Sequence, residues 1–181
     1  MFHLFVTQHT RDWSPGNVIV YQTENNSTAD LWMIATSGDR KPRMFLDTKY
    51  RERNGTLSPP DSRWLAHQSN ASGQDEVIVR PFPAREPSQR ISRDGGMHPA
   101  WRRDGKELFF LAPDGTMMAI GFDPLTGRQD ATGPQKLFAT QVALNNNHPY
   151  AVTADGQRFL MPVPLHDPPR LVLDWRTLVS Q

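Results

Sequence analysis

Residues 100–115 read AWRRDGKELFFLAPDG, and this stretch decides the fold. Ala100 and Trp101 lead into an Asp104-Gly105 turn, then into the apolar run Leu108-Phe109-Phe110-Leu111, then into a second turn at Asp114-Gly115. Asp-Gly between apolar runs is a hairpin signal, because glycine accepts the positive φ that a tight turn imposes. Working outward, the same phrase returns three times: YAVTADGQRFLMPVP from Tyr150, LSPPDSRWLAHQSN from Leu57 and DWSPGNVIVYQT from Asp12. Each copy is followed by a second apolar run, in chain order ADLWMIAT, DEVIVRPF, GTMMAIGF and RLVLDW. The first three copies add a short third run: PRMFLDT, SQRIS and QKLFAT. Runs such as VIVY, VIV, LFFL and LVL are β-branched or aromatic, of strand length, and bounded by turn residues.

Trp13, Leu57, Trp101 and Val152 hold the same place in successive copies, separated by 44, 44 and 51 residues. Several short strands repeating with a period near 40–50 residues mark a β-propeller blade. The expectation is an all-β protein, a single β-propeller domain over residues 1–181 with about four blades of antiparallel strands. The repeats fall at approximately 8–47, 55–92, 97–140 and 147–176. The last copy offers about three strands, so the N-terminal run 2–7 (FHLFVT) is a candidate fourth strand that closes the ring. The other solution is a half-propeller that pairs with a second copy by edge pairing or strand swap. No window carries a sustained helical stripe, and the charged stretch Lys49–Arg53 reads as a solvated loop.

Composition bounds the function. The 181 residues include 16 Pro and 12 Gly spread along the chain, which argues against a helical bundle. Lys+Arg 20 against Asp+Glu 19 leaves a net charge of +1, so no general field favours nucleic acid or an anionic membrane. The absence of Cys excludes disulfides, thiol nucleophiles and Cys-ligated zinc. No run approaches the ~20 apolar residues of a membrane span. The start MFHLFVTQHTRD lacks the basic and apolar regions of a secretory signal.

The phrase S-P-D-G-[KR]-x-[LI]-A-[FY]-x-S, followed by D-[IL]-[WY]-V, marks the TolB-like (WD-repeat-like) propeller repeat, and this chain resembles that family. The residues that carry the resemblance are DLWMIATSGDRKP, DEVIVRPFP, WRRDGKELFFLAPDGTMMAI and ADGQRFL. Together they resemble the C-terminal propeller half of bacterial proteins in which a serine/threonine kinase domain precedes a membrane segment and a TolB-like propeller. The likeness implies a periplasmic or extracytoplasmic setting and a role as a scaffold for protein–protein interaction. Departures exist: DWSPGNV lacks the Asp before Gly16, Ser62 stands where Gly is usual, and Arg102-Arg103 replace Ser-Pro. No kinase signature is present, so kinase activity is not carried over.

Candidate chemistry is sparse. Each Asp of an Asp-Gly turn reads as the cap of its own turn, since a calcium loop needs denser acids. The six histidines lack H-x-H or H-x-x-x-H spacing, so no metal site is expected. There is no G-x-S-x-G elbow, and no catalytic residue or cofactor is assigned. The Arg-rich places are interleaved with acids and read as solvated or salt-bridged faces, with Arg102 or Arg103 pairing Asp94 or Asp104. The Trp residues read as wedges between blades. His98-Pro99 and His148-Pro149 fall just before the innermost strands, whose ends line a propeller's channel. The expected ligand-binding residues at the channel mouth are therefore His98, Trp101, Arg102, His148 and Tyr150. The expected function is non-catalytic recognition of a protein partner or small ligand. The alternative is a lactonase- or glycosidase-like hydrolase with an axial site.

Overall fold

The computed structural model describes residues 7–13, 17–24, 28–144, 149–162 and 170–172. These residues form strands and turns with no helix, arranged as four successive antiparallel sheets. Blade 1 holds β1 (Thr7–Trp13), β2 (Val18–Glu24), β3 (Ala29–Ala35) and β4 (Arg43–Leu46), hydrogen-bonded in that order. Blade 2 holds β5 (Glu52–Leu57), β6 (Trp64–Ser69), β7 (Glu76–Pro81) and β8 (Gln89–Arg90). Blade 3 holds β9 (Met97–Trp101), β10 (Glu107–Leu111) and the long β11 (Thr116–Asp123). Two short strands, β12 (Arg128–Gln129) and β13 (Gln135–Ala139), pair with opposite ends of β11. Blade 4 shows β14 (Ala151–Val152), β15 (Phe159–Met161) and β16 (Arg170–Val172).

Strand register recurs from blade to blade. Trp13 pairs with Ile19, Leu57 with Leu65, Trp101 with Leu108 and Val152 with Phe159, so all four residues end the first strand of their blade opposite the same point of the second. The turns between successive strands follow the local chemistry. Gly105, Gly115 and Gly156 all take positive φ, and the carboxylates of Asp104, Asp114 and Asp155 each accept the backbone N–H two residues on. Ser62, the departure from the family pattern, takes the same conformation with a φ of 58°.

Alternation along each strand sends successive side chains to opposite neighbours, so the core lies between blades. Val20, Leu31 and Phe45 of blade 1 meet Leu65 of blade 2. Ala66, Val77 and Val79 meet Trp101, Leu108 and Phe110 of blade 3. Phe109, Leu111 and Met117 meet Phe159 and Met161 of blade 4. Each fully buried side chain of this size contributes roughly 1.5–3 kcal/mol. Two indoles rivet the second and third blades: Trp64 Nε1 donates to the Pro124 carbonyl at 2.9 Å, and Trp101 Nε1 to the Thr56 carbonyl at 3.2 Å. Both rings pack edge-on against Phe122.

Two expectations are corrected. The stretch Lys49–Arg53 is not a loop throughout, because Glu52 and Arg53 open β5 and pair with Ser69 and Gln68. Their charge misled, since Glu52 is buried by partners that arrive from other strands. Trp32 does not wedge between the described blades; it lies on the side of blade 1 turned away from blade 2. The proposed closing strand falls on residues 2–6, which lie outside the described residues, and Thr7 already belongs to blade 1. Among the described residues no strand of blade 4 is hydrogen-bonded to one of blade 1.

Candidate functional site

The first strands of neighbouring blades, β1, β5 and β9, lie side by side at the inner edge. Each carries a β-bulge at the same register. In β5, Asn54 and Gly55 together oppose one residue of β6, His67. In β9, His98 and Pro99 together oppose Phe110, and β1 shifts register between Thr10 and Asp12. The bulge forces a left-handed backbone: Asn54 has φ 53° and His98 φ 54°. Asparagine tolerates that region well, histidine less so.

His98 is held there by its surroundings. Its Nε2 lies 2.8 Å from the Leu144 carbonyl, which can only accept, so Nε2 carries the proton. Nδ1 is then an acceptor, and the Asn54 amide donates to it at 3.2 Å. Asn54 sends its other N–H to Gln68 Oε1 at 2.8 Å, and its backbone N–H goes to Gln22 Oε1 at 2.9 Å. The Tyr150 hydroxyl donates to the His98 carbonyl at 2.6 Å, and burial pushes that phenol's pKa up. One lattice of side-chain amides, an imidazole and a phenol thus ties all four blades together at the inner edge.

Of the expected rim residues, the structure brings His98 and Tyr150 into direct contact. Trp101 is buried at the blade 2–blade 3 junction. Arg102 stands apart, with Nε 2.8 Å from Asp104 and Nη1 2.7 Å from Glu107; Asp94 is not its partner. His148 lies outside the described residues. By register the residue equivalent to His98 in blade 4 is Pro149, three before Val152.

Sequence reasoning missed a buried relay inside blade 2. His67 Nδ1 lies 3.1 Å from Glu52 Oε2, and His67 Nε2 accepts from Arg80 Nε at 3.0 Å. Arginine can only donate, so the imidazole proton sits on Nδ1, facing Glu52 and the Gln68 carbonyl. Burial holds His67 below its ordinary pKa despite the carboxylate beside it. Burial alone would raise Glu52, but the bonds from His67, Thr48 and Ser69 carry it below the usual carboxylate range. The pair is sealed from solvent and cannot meet a substrate.

An open cleft of about 480 Å³ lies where the chain leaves blade 2 and enters blade 3. Phe110, Met118 and Pro134 supply apolar lining, while Arg93, Lys136 and Asp114 bring charge. The Thr116 amide, with the Lys136 charge behind it, holds Asp114 below the usual carboxylate range. The spacing of 44 residues between Asn54 and His98 was a usable signal for the inner lattice; nothing in the sequence announced the cleft.

The fold and these sites define a β-propeller module. No protein-family model matches the chain, and no curated protein sequence matches it. Solved structures do. The chain is similar to TolB from Acinetobacter baumannii, with 14% identity and a TM-score of 0.62 over 88% of this chain and 38% of that one. It is similar to an oligogalacturonate lyase in complex with manganese, with 15% identity and a TM-score of 0.56 over 91% and 46%. It is also similar to the β-propeller domain of the Trilobed protease from Pyrococcus furiosus, which has an open velcro topology, with 12% identity and a TM-score of 0.54 over 88% and 49%. The TolB-like resemblance therefore holds at the level of fold. The chain spans less than half the length of each of these three proteins.

Proposed function

We propose that the chain is a rigid, non-catalytic recognition module that binds a small ligand or a segment of a protein partner. The observation that carries this reading is the cleft between the 93–95 connection and blade 3, which sets an apolar floor beside charges of both signs. A concave site of a few hundred Å³ with that composition suits a molecule with an apolar body and a polar head. Its walls are the paired strands β10, β11 and β13 of blade 3 and the connection 93–95, so the site is preformed and binding orders little. Of the four described rim candidates, His98 and Tyr150 meet at the inner edge, Trp101 sits in the blade 2–blade 3 junction and Arg102 in its own hairpin. Their polar groups hold blades and turns together, and a ligand at the rim would have to displace those bonds. The hydrolase alternative has fold likeness behind it, and the Glu52–His67 acid–base pair is buried.

The test is a set of small aromatic carboxylates and aromatic amines followed by amide chemical shifts in the full chain. Shifts clustered on Phe110, Met118 and Lys136, and lost in Met118→Arg and Lys136→Glu, are expected. Shifts gathered elsewhere, or turnover of simple lactones by the purified protein, overturn the reading.

A further inference from the structure

The terminal blades break a burial pattern that the internal blades keep. One position on the second strand of each blade faces the preceding blade: Leu65, Leu108 and Phe159 are all 0% exposed. Its counterpart on blade 1 is Ile19, fixed by the pairing of Trp13 with Ile19, and Ile19 is only half-buried. The next position faces the following blade: Val20, Ala66 and Phe109 are buried, yet Leu160 of blade 4 is 58% exposed.

The uncovered side of blade 1 is built like an interior one. Val20, Leu31 and Met33 face blade 2, so alternation puts Ile19, Tyr21, Trp32 and Ile34 on the opposite side. Ile19 pairs with Ile34 and Tyr21 with Trp32, and those two rings stack with centroids 6.3 Å apart. Tyr21 stands where blade 2 has the fully buried His67 and blade 3 the fully buried Phe110. A solvated sheet is apolar on one face and polar on the other; from Val18 to Tyr21 and from Leu31 to Ile34 this sheet is apolar on both, with Thr23 and Asp30 at the end of the back face.

We propose that two copies of this chain associate head to tail, the far face of blade 4 in one copy covering the back face of blade 1 in the other, at both junctions of a ring of about eight blades. The two end faces are of opposite kinds, one lacking a preceding blade and the other a following one. Every internal junction joins such a pair. Head-to-tail contacts close when the rotation allows. Here the chain covers 49% of the length of one propeller domain and 46% of another similar chain, so two copies match the length of such a protein. One association covers Ile19, Tyr21, Trp32, Ile34 and Leu160 together. The proposal stands independently of the ligand cleft.

Light scattering on the full chain after size-exclusion chromatography tests it, run from micromolar to nanomolar concentration. The expected mass is twice the 20.6 kDa protomer. Leu160→Arg, at an exposed position, and Tyr21→Arg should each weaken association by about a hundredfold or more, a burden of the size carried by a buried unpaired charge. Both variants should keep wild-type circular dichroism. Mixing the two restores one intact junction, so the mixture should associate at least about tenfold more tightly than either variant alone. A single-protomer mass at every concentration overturns the proposal, which then leaves these faces to blades of a different chain. A dimer untouched by Leu160→Arg, or no recovery on mixing, overturns it as well.

Discussion

Asn54 and His98 stand one repeat apart, share the same left-handed backbone conformation, and are joined by a hydrogen bond from the Asn54 amide to His98 Nδ1 at 3.2 Å. Equivalent bulges in adjacent blades therefore recognise each other directly. The contact makes a distinct prediction for each partner. His98→Gly keeps the backbone conformation while His98→Ala does not, so the alanine variant should be less stable by about 1 kcal/mol. A double-mutant cycle with Asn54→Ala and His98→Ala in urea should give a coupling of about 1 kcal/mol. Additive losses would mean that the two bulges are held separately.

Tyr150 closes the same lattice from blade 4. Its hydroxyl bonds the His98 carbonyl, so Tyr150→Phe leaves that acceptor without its donor and should cost about 1–2 kcal/mol. Hydrogen exchange of the Ala151 and Val152 amides should rise in the variant; unchanged protection would show that blade 4 is held by its core alone.

His67 titrates against folding. Its folded pKa lies below the ordinary value of 6.5 because it is buried, so the unfolded chain binds the proton more readily. The stability it contributes is complete above about pH 6.5 and is lost as pH falls below that value, at up to about 1.4 kcal/mol per pH unit. Glu52 is shifted the opposite way from burial alone, and its contribution fades only in the more acidic carboxylate range. Melting temperature should therefore drop between about pH 6.5 and 5 in the wild type. His67→Gln should be less stable at pH 7 and flatter across that window.

Gly127 is pressed against Trp64. It has φ 73°, and a methyl group there would sit 2.0 Å from the indole. Gly127→Ala should cost about 3 kcal/mol or more, through backbone strain plus a displaced rivet. Gly73 provides the control: its φ is 97° and nothing lies within 4 Å, so Gly73→Ala should cost only about 1 kcal/mol of strain. Equal losses in a denaturation series would show that Trp64 yields freely.

What the sequence made legible was local or periodic. Asp104-Gly105 and Asp155-Gly156 announce their turns because the cap and the positive φ lie within three residues. Leu57, Trp101 and Val152 announce the repeat because blades reuse one register. Arg102 found both its acids within its own hairpin; Asp104 was one of the two partners that residue spacing suggested, and Glu107 was not. The Glu52–His67–Arg80 relay was hidden because its members come from three strands and two of them carry charge that burial usually forbids. His98 was singled out by its place near the inner edge. Its role in a blade-to-blade lattice depended on a bulge, and a bulge leaves no composition signal when it is filled by Asn in one blade and His in the next.

The bulge itself acts as a phase shift. A strand alternates its side chains with a period of two, and one extra residue at Asn54-Gly55 inverts that alternation for everything before it. Glu52 and Arg53 thereby address neighbours that an unbroken strand would swap. Straightening the strand without removing a residue would leave every amino acid unchanged and still turn Glu52 away from His67, whereas deleting one bulge residue would keep Glu52 opposite Ser69. The inner strand is thus read in frame, and the bulge is where the frame is set.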